Sequence, residues 1–184
     1  MVHGKKFINE HSQYYQVLYK LYKTRGLDEW YVQKCRKRFE LPGEFSTIKN
    51  VKKIKVQDNF LPSVHVYLEL KEVSDNHSFS LFQEIQIVVS KIIPVYYINY
   101  VYKIKHHLVV GELGLGGAPQ TFEMMEASDD VIEVMDKQGF IALDSEYDLK
   151  DTVFEWDELE GIDPVNRRLT LEDAVFTDIL DLCD

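Results

Sequence analysis

Residues 64–73 read VHVYLELKEV, and apolar and polar side chains alternate along them. The apolar members of this alternation are Val64, Val66, Leu68 and Leu70. A period of two is the repeat of a β-strand, because successive side chains point to opposite faces of a sheet. The stretch therefore predicts a strand with one face on a hydrophobic core and the other toward solvent.

Other strands are predicted on both sides of this one. NVKKIKVQ at 50–57 precedes it, and VYYINYVYKIK at 95–105 follows it with aromatic residues on both faces. FIALD and TVFEW, further along the chain, are short strand candidates. Tyr and Phe are frequent, and their flat rings suit the pleated surface of a sheet.

Residues 80–93, SLFQEIQIVVSKII, fit both a helix and a strand. The spacing of Leu81, Ile85 and Val88 matches one face of a helix, and Pro94 would end that helix. The many β-branched residues and a second, two-residue period match a strand instead. Of the two interpretations, we favour the helix.

The N-terminal part is predicted to form a helical hairpin. Apolar residues recur at helical spacing over 9–23, and Gly26 follows as a stop signal. A second helix at 28–39 begins with acidic and ends with basic residues, which complements the helix dipole. Pro42 and Gly43 end the pair.

Two further helices are predicted in the C-terminal part. Ser128 is the expected cap of a helix over 129–138, and TFEMMEA just before it is a strand candidate. Thr170 is the expected cap of the last helix, over 171–183.

Together these elements predict an α+β fold with a mostly antiparallel sheet, an N-terminal helical hairpin and C-terminal helices. The chain of 184 residues is long enough for one domain with a core of its own. We expect a single domain over 1–184, in which residues 1–43 either form a helical subdomain or pack on the sheet.

Cysteine usage and hydropathy bear on the compartment. Cys35 and Cys183 form no CxxC motif, which is typical of a reduced intracellular protein with incidental thiols. The first residues contain no apolar signal segment, and the longest apolar run, broken by Pro94 and Asn99, is too short to span a bilayer. We therefore expect a cytoplasmic protein that does not enter a membrane.

Charge divides the chain into two halves. Residues 1–107 hold 17 Lys or Arg against 10 Asp or Glu, a balance of +7, whereas residues 108–184 hold 4 against 21, a balance of −17. Three interpretations follow: the halves neutralise each other, the acidic half meets a basic partner, or the basic half meets nucleic acid. We call these segments the basic half and the acidic half.

The glycine-rich stretch VVGELGLGGAPQTFE at 109–123 superficially resembles a phosphate-binding loop. Its spacing matches neither the dinucleotide fingerprint nor the phosphate loop. No Lys or Arg lies between His107 and Lys137, so a phosphate would meet only carboxylates here. We interpret the stretch as a flexible connection, either a hinge or an exposed loop.

His106 and His107 suggest a metal site at first sight. If the strand at 95–105 continues through them, the two rings point to opposite faces and cannot share an ion. We therefore expect a structural or solvent-exposed pair, and no metal or other cofactor is expected anywhere in the chain.

Asp58 followed further along by Glu69 and Lys71 resembles the metal-dependent nuclease motif of the restriction-endonuclease-like superfamily. That resemblance implies two carboxylates holding Mg²⁺ and a lysine that activates water or steadies the phosphate. The alternative is the exposed polar face of a half-buried strand, which we favour.

Cys35 lies in KCRKRF, a basic setting that can lower the pKa of a thiol. It also shares a helical face with Val32 and Phe39, which indicates a buried thiol, and no histidine is marked as its partner. No G-x-S-x-G motif is present, and we assign no catalytic residue.

The acidic segments DSEYDLKD at 144–151 and EWDELEGID at 155–163 lack the glycine of an EF-hand loop, because Leu149 stands at its position. Carboxylates around exposed aromatic rings suit a surface that binds a basic protein. The candidate contact residues are Asp144, Glu146, Asp148, Glu155, Trp156, Asp157, Glu158 and Glu160.

The leading hypothesis is therefore a non-enzymatic binding or inhibitor protein that engages a basic partner, such as the immunity protein of a nuclease-like bacterial toxin. The first alternative is a Mg²⁺-dependent nuclease using Asp58, Glu69 and Lys71. The second is a nucleic-acid-binding regulator using the basic stretches KCRKRF and KNVKKIK. We rank it below the first hypothesis because the net charge of −10 repels nucleic acid at long range.

Overall fold

The strand predicted from residues 64–73 is the second strand of an antiparallel sheet in a computed structural model that describes residues 8, 11–74, 78–156, 159, 162 and 168–183, the side chain of Glu146 excepted. The strands are β1 (Val51–Gln57), β2 (Ser63–Leu70), β3 (Val73–Ser74), β4 (Phe79–Ser90), β5 (Val95–His106), β6 (Leu113–Gly117), β7 (Ile141–Ala142), β8 (Val153–Phe154) and β9 (Leu169–Thr170). The helices are α1 (Gln13–Tyr22), α2 (Asp28–Arg36), α3 (Phe122–Lys137) and α4 (Leu171–Phe176), with a 3-10 turn at Gly43–Thr47 and a π-helical turn at Ser145–Lys150. The fold is α+β, as predicted.

The main sheet has the strand order β1-β2-β4-β5-β6, and neighbours along this order are antiparallel. Short β3 pairs with β4, and β7 pairs with β5 in parallel. Strands β8 and β9 form a separate two-stranded sheet. The described edges of the main path are therefore β1 and β6.

Residues 80–93 form a strand, so the prediction of a helix there is wrong. Strand β4 lies between β2 and β5, with a register that runs from Phe79 opposite His106 to Val89 opposite Tyr96. Its β-branched residues lose little conformational freedom in this setting, and backbone pairing on both sides outweighs the helical spacing. Pro94 ends the turn between β4 and β5 instead of a helix.

Helix α3 covers one face of the sheet and begins earlier than predicted. Thr121 is the N-cap and accepts a hydrogen bond from the Met124 N–H, so the expected strand TFEMMEA is the first part of the helix. Ser128 is not a cap: it lies buried inside the helix and shares a 2.6 Å hydrogen bond with the Tyr100 hydroxyl. The helical period of the apolar residues continues through Ser128, which places it toward the sheet.

Among the described residues, those that cover the other face of the sheet lie near the β4–β5 turn. There Val88 and Val95 share a core with Leu18 of α1, Tyr31 of α2 and Leu171 of α4. The remainder of that face carries half-buried and exposed polar side chains. The N-terminal helices thus pack on the sheet and on the C-terminal part. The single domain over 1–184, with 1–43 as a possible helical subdomain, stays a prediction.

The N-terminal helices are shorter than the predicted 9–23 and 28–39. Ser12 caps α1 by accepting from the Tyr14 N–H, and α2 ends at Arg36. The Tyr22 hydroxyl donates to the Ala174 carbonyl at 2.7 Å and so ties α1 to α4.

The last helix is also shorter than the predicted 171–183. Thr170 and Asp173 form a capping box at its start, as the expected cap implies, but the helix ends at Phe176. Asp178 then accepts hydrogen bonds from the Tyr31 hydroxyl and from the N–H groups of Leu182 and Cys183. These bonds replace helical ones and fold the C-terminal segment back onto α2.

We expect Asp178→Ala to lower the free energy of unfolding by about 2 kcal/mol, because it leaves partly buried donors without an acceptor. Urea denaturation followed by circular dichroism measures the change. Asp151→Ala, at an exposed position, is the matched control and should stay within about 0.5 kcal/mol of the wild type. Equal stability of the two variants would contradict the conclusion that Asp178 tethers the C-terminal segment to α2.

Candidate functional site

The exposed apolar side chains are concentrated in one stretch of the chain. Seven of the twelve large apolar side chains that are exposed in the described ranges lie between residues 108 and 125. They are Leu108, Val109, Val110, Leu113, Leu115, Phe122 and Met125, and we call them the apolar patch. Side chains exposed singly need no explanation, but a cluster of this kind is typical of an interaction surface.

Strand β6 sets the position of the apolar patch. Leu113 and Leu115 lie opposite Ile104 and Tyr102 of β5, which puts them on the face that α3 covers. All five residues of β6 are exposed, and β5 is its partner on one side only within the described sheet. The expectation of a merely flexible glycine-rich connection is therefore wrong for 113–117, because backbone pairing with β5 orders these residues into an edge strand.

Tyr102 holds the link between β6 and α3. Its buried hydroxyl donates to the Ala118 carbonyl at 3.1 Å and accepts from the Gln120 N–H at 2.6 Å. Thr121, the N-cap of α3, donates to the buried side-chain carbonyl of Gln83. The segment between the edge strand and the first turn of the helix is thus anchored to neighbouring residues of β4 and β5.

The outward side of α3 is acidic. The helix carries six carboxylates and one base, Lys137, which Glu133 binds at 2.5 Å. The six are Glu123, Glu126, Asp129, Asp130, Glu133 and Asp136. Because the apolar stripe of the helix is turned to the sheet, these carboxylates lie outward and begin beside Phe122 of the apolar patch.

Hydrogen bonds and apolar packing join the basic and acidic halves, but few described ion pairs do. The ion pairs Arg25–Asp28, Lys52–Glu69 and Lys91–Asp58 lie within the basic half, and Lys137–Glu133 lies within the acidic half. Lys49 approaches Glu126 at 4.0 Å, and the neighbouring Asn50 donates to the same carboxylate. The Lys49 N–H also donates to Asp130 at 3.4 Å. Within the described ranges, three of the six carboxylates of α3 thus form neither an ion pair nor a hydrogen bond and remain available to a partner: Glu123, Asp129 and Asp136.

The contact residues predicted from sequence lie elsewhere. Asp144 is half-buried and accepts from the Tyr147 N–H, and Asp148 is fully buried and accepts from the Asp144 N–H. Asp148 therefore orders the π-helical turn rather than facing solvent. Glu155 is exposed, Glu146 lies in the same turn as Asp148, and Asp157, Glu158 and Glu160 lie outside the described residues.

Trp156 and Phe154 belong to the interior, although the sequence suggested exposed rings. Trp156 stacks on Phe154 at 4.5 Å between ring centroids and donates its indole N–H to the Tyr15 hydroxyl at 2.9 Å. Both rings also pack against Tyr15 of α1. The role of residues 144–160 in partner binding stays a prediction. Because Phe154 and Trp156 pack against other rings of the protein, they offer a partner less aromatic surface than the sequence suggested.

The three residues of the nuclease resemblance are not brought together. Gln57 pairs with His65, so Asp58 lies at the His65 end of the β1–β2 hairpin, about five residues or roughly 15 Å from Glu69. Glu69 instead binds Lys52 at 3.4 Å, and Lys71 is exposed. Two carboxylates that share one Mg²⁺ must lie much closer than this.

His106 and His107 differ from the expectation that their rings would point to opposite faces. The rings stack at 4.7 Å between centroids, because β5 ends at His106 and the chain turns there. No group of three or more His, Cys, Asp or Glu residues within the described ranges is arranged to hold a metal ion.

Cys35 is fully buried, in agreement with the interpretation as a packed thiol. Burial raises its pKa above the ordinary value, which makes it a poor nucleophile. The Cys183 thiol, brought back by the Asp178 tether, is within hydrogen-bond reach of it.

Asp58 has a structural role that the sequence did not indicate: it is the counter-ion of a lysine that is nearly buried. Its carboxylate binds the nearly buried Lys91 ammonium at 2.6 Å and accepts from the Phe39 N–H at 2.9 Å. Burial alone would raise the pKa of Asp58, but the hydrogen bonds from Lys91 and Phe39 outweigh burial and hold the pKa below its usual value.

Neither a family model, nor a curated protein, nor a solved structure matches the chain. No helix within the described ranges is both long enough and apolar enough to cross a bilayer.

We expect Asp58→Asn to destabilise the protein by about 3 kcal/mol at neutral pH, because it leaves the Lys91 ammonium buried without its counter-ion. A carboxylate with a lowered folded pKa contributes stability above its unfolded pKa of about 4, and this contribution disappears as the pH falls through the folded pKa. Denaturation of both proteins from pH 7 to pH 3 should show the difference shrinking below about pH 4.

Glu69→Gln is the matched control, since its ion pair with Lys52 is largely exposed. It should change stability by less than about 1 kcal/mol at any pH in this range. A pH-independent effect of Asp58→Asn would show that the carboxylate acts through packing and not through charge.

Proposed function

We propose that this protein is a non-enzymatic binding protein whose acidic half engages a basic protein partner, with the apolar patch and the outward side of α3 as the contact. The observation that carries the proposal is the continuity of the two surfaces at Phe122 and Glu123. Desolvated apolar anchors supply most of the binding energy of an interface, and surrounding charges set the association rate and the choice of partner.

The charge of α3 specifies the chemistry of the partner. Six carboxylates on one helix face, in a chain with a net charge of −10, attract a protein with a basic face and repel nucleic acids and acidic proteins. The basic face of a nuclease-like toxin has this chemistry, and an inhibitor that covers it would need acidic groups around an apolar centre. The immunity-protein hypothesis is the specific form of this proposal.

The test compares capture of proteins from lysate of the source cells by four forms of the chain. The patch variant carries Phe122→Ser and Met125→Ser, and the acid variant carries Glu123→Gln and Asp129→Asn. We expect the wild type to retain a basic protein in stoichiometric amount, and the patch variant to retain less than about a tenth of it. The acid variant should associate about tenfold more slowly with the purified partner, with a flatter dependence on salt.

The control variant, Val56→Ser with Val73→Ser, removes exposed apolar side chains from other strands and should bind like the wild type. Thermal denaturation of all four forms checks that each is folded. Equal retention of the same proteins by the patch and control variants, or retention of nucleic acid alone, would contradict the proposal.

A further inference from the structure

A second surface with a different character lies in the basic half. A cleft of about 340 Å³ opens between the end of α2, the β4–β5 turn and Phe140, which is the size of a small-molecule site. Phe140 follows the C-terminal end of α3, whereas the apolar patch lies at its N-terminal end, about 24 Å away along the helix. The cleft is therefore separate from the surface proposed to bind a protein partner.

The rim of the cleft is basic. Lys34, Lys37 and Arg38 line it against a single carboxylate, Glu40. Lys37 and Arg38 are exposed, and neither forms an ion pair within the described part of the chain. Two adjacent cations without a counter-ion at the mouth of a cleft are suited to an anion.

The simplest explanation of basic residues here is compensation of the α2 dipole, but other contacts already provide it. The Lys91 ammonium donates to the Cys35 carbonyl at 2.7 Å, and Lys34 and Arg36 place two positive charges in the last turn of α2. Lys37 and Arg38 lie beyond Arg36, the last residue of the helix. Their charges are therefore not needed to stabilise the helix end.

The interior of the cleft is apolar and aromatic. Phe39 and Phe140 meet edge to face at 6.5 Å between centroids, and both remain partly accessible. Ile92, Ile93 and Pro94 of the β4–β5 turn add apolar atoms to the lining, beside the polar Ser90 and Lys91. A flat apolar ring that binds between such side chains gains binding free energy from the burial of its surface and from ring–ring interactions.

We propose that this cleft binds a nucleotide-type anion, with its phosphate held by Lys37 and Arg38 and its ring against Phe39 and Phe140. The guanidinium of Arg38 offers two parallel donors to phosphate oxygens, and the Lys37 ammonium adds a second charge. The site is independent of the apolar patch, so the protein-binding proposal can fail without affecting it.

Isothermal titration calorimetry with adenosine monophosphate tests the site, with adenosine and inorganic phosphate as separate probes. We expect the monophosphate to bind at least tenfold more tightly than either probe, because each probe supplies only one of the two contacts. The double variant Lys37→Gln with Arg38→Gln should weaken this binding at least tenfold. Lys53→Gln with Lys55→Gln, which removes the same charge from exposed positions on β1, should leave binding unchanged.

Both double variants change exposed side chains, and circular dichroism confirms that they are folded. Absence of binding by the monophosphate at millimolar concentration would overturn the proposal, as would equal weakening by the two double variants. Inorganic phosphate binding as tightly as the monophosphate would overturn the assignment of the ring to the aromatic walls.

Discussion

The pairing of β4 with β5 is the constraint on which the rest of the structure depends. The two strands are twelve residues each and pair along nearly their whole length. Near the turn they are buried on both faces, by α3 on one side and by α1, α2 and α4 on the other. Toward the far end, α3 is the one helix of the described chain that packs on the sheet, which leaves the opposite face and the β6 edge uncovered by the other described elements. The β4–β5 hairpin is thus part of the core near its turn, whereas its far end lies beside the surfaces available for binding.

Much of the fold is predictable because local patterns and tertiary packing agree. Alternation identifies β2, a run of β-branched and aromatic residues identifies β5, and the cap at Thr170 is in place. Residues 80–93 show a helical and a two-residue period together, so the pattern alone does not decide between helix and strand. Pairing with β2 and β5 decides it in favour of the strand. Ser128 was misassigned because a small polar residue inside a helix has the same signature as a cap until its partner, Tyr100, is known.

The candidate surfaces were less predictable for physical reasons. The charge division indicated the acidic half but not which carboxylates face outward, and Asp148 is buried while those of α3 are not. Leu113 and Leu115 alternate with glycines, and this alternation was the available signal for an edge strand. The many glycines favoured the interpretation as a loop instead. The basic cleft is formed by residues far apart in sequence, since Lys91 and Phe140 line it together with Lys37 and Arg38.

The edge of β6, which no other described strand pairs, also has a consequence for aggregation. An edge strand without Lys, Pro or a bulge can pair with the same strand of another copy and so begin aggregation. The neighbouring carboxylates of α3 oppose this, because two copies that approach edge to edge bring like charges together. The carboxylates of α3 therefore also oppose aggregation through β6. This repulsion weakens when salt screens the carboxylates or when acid protonates them.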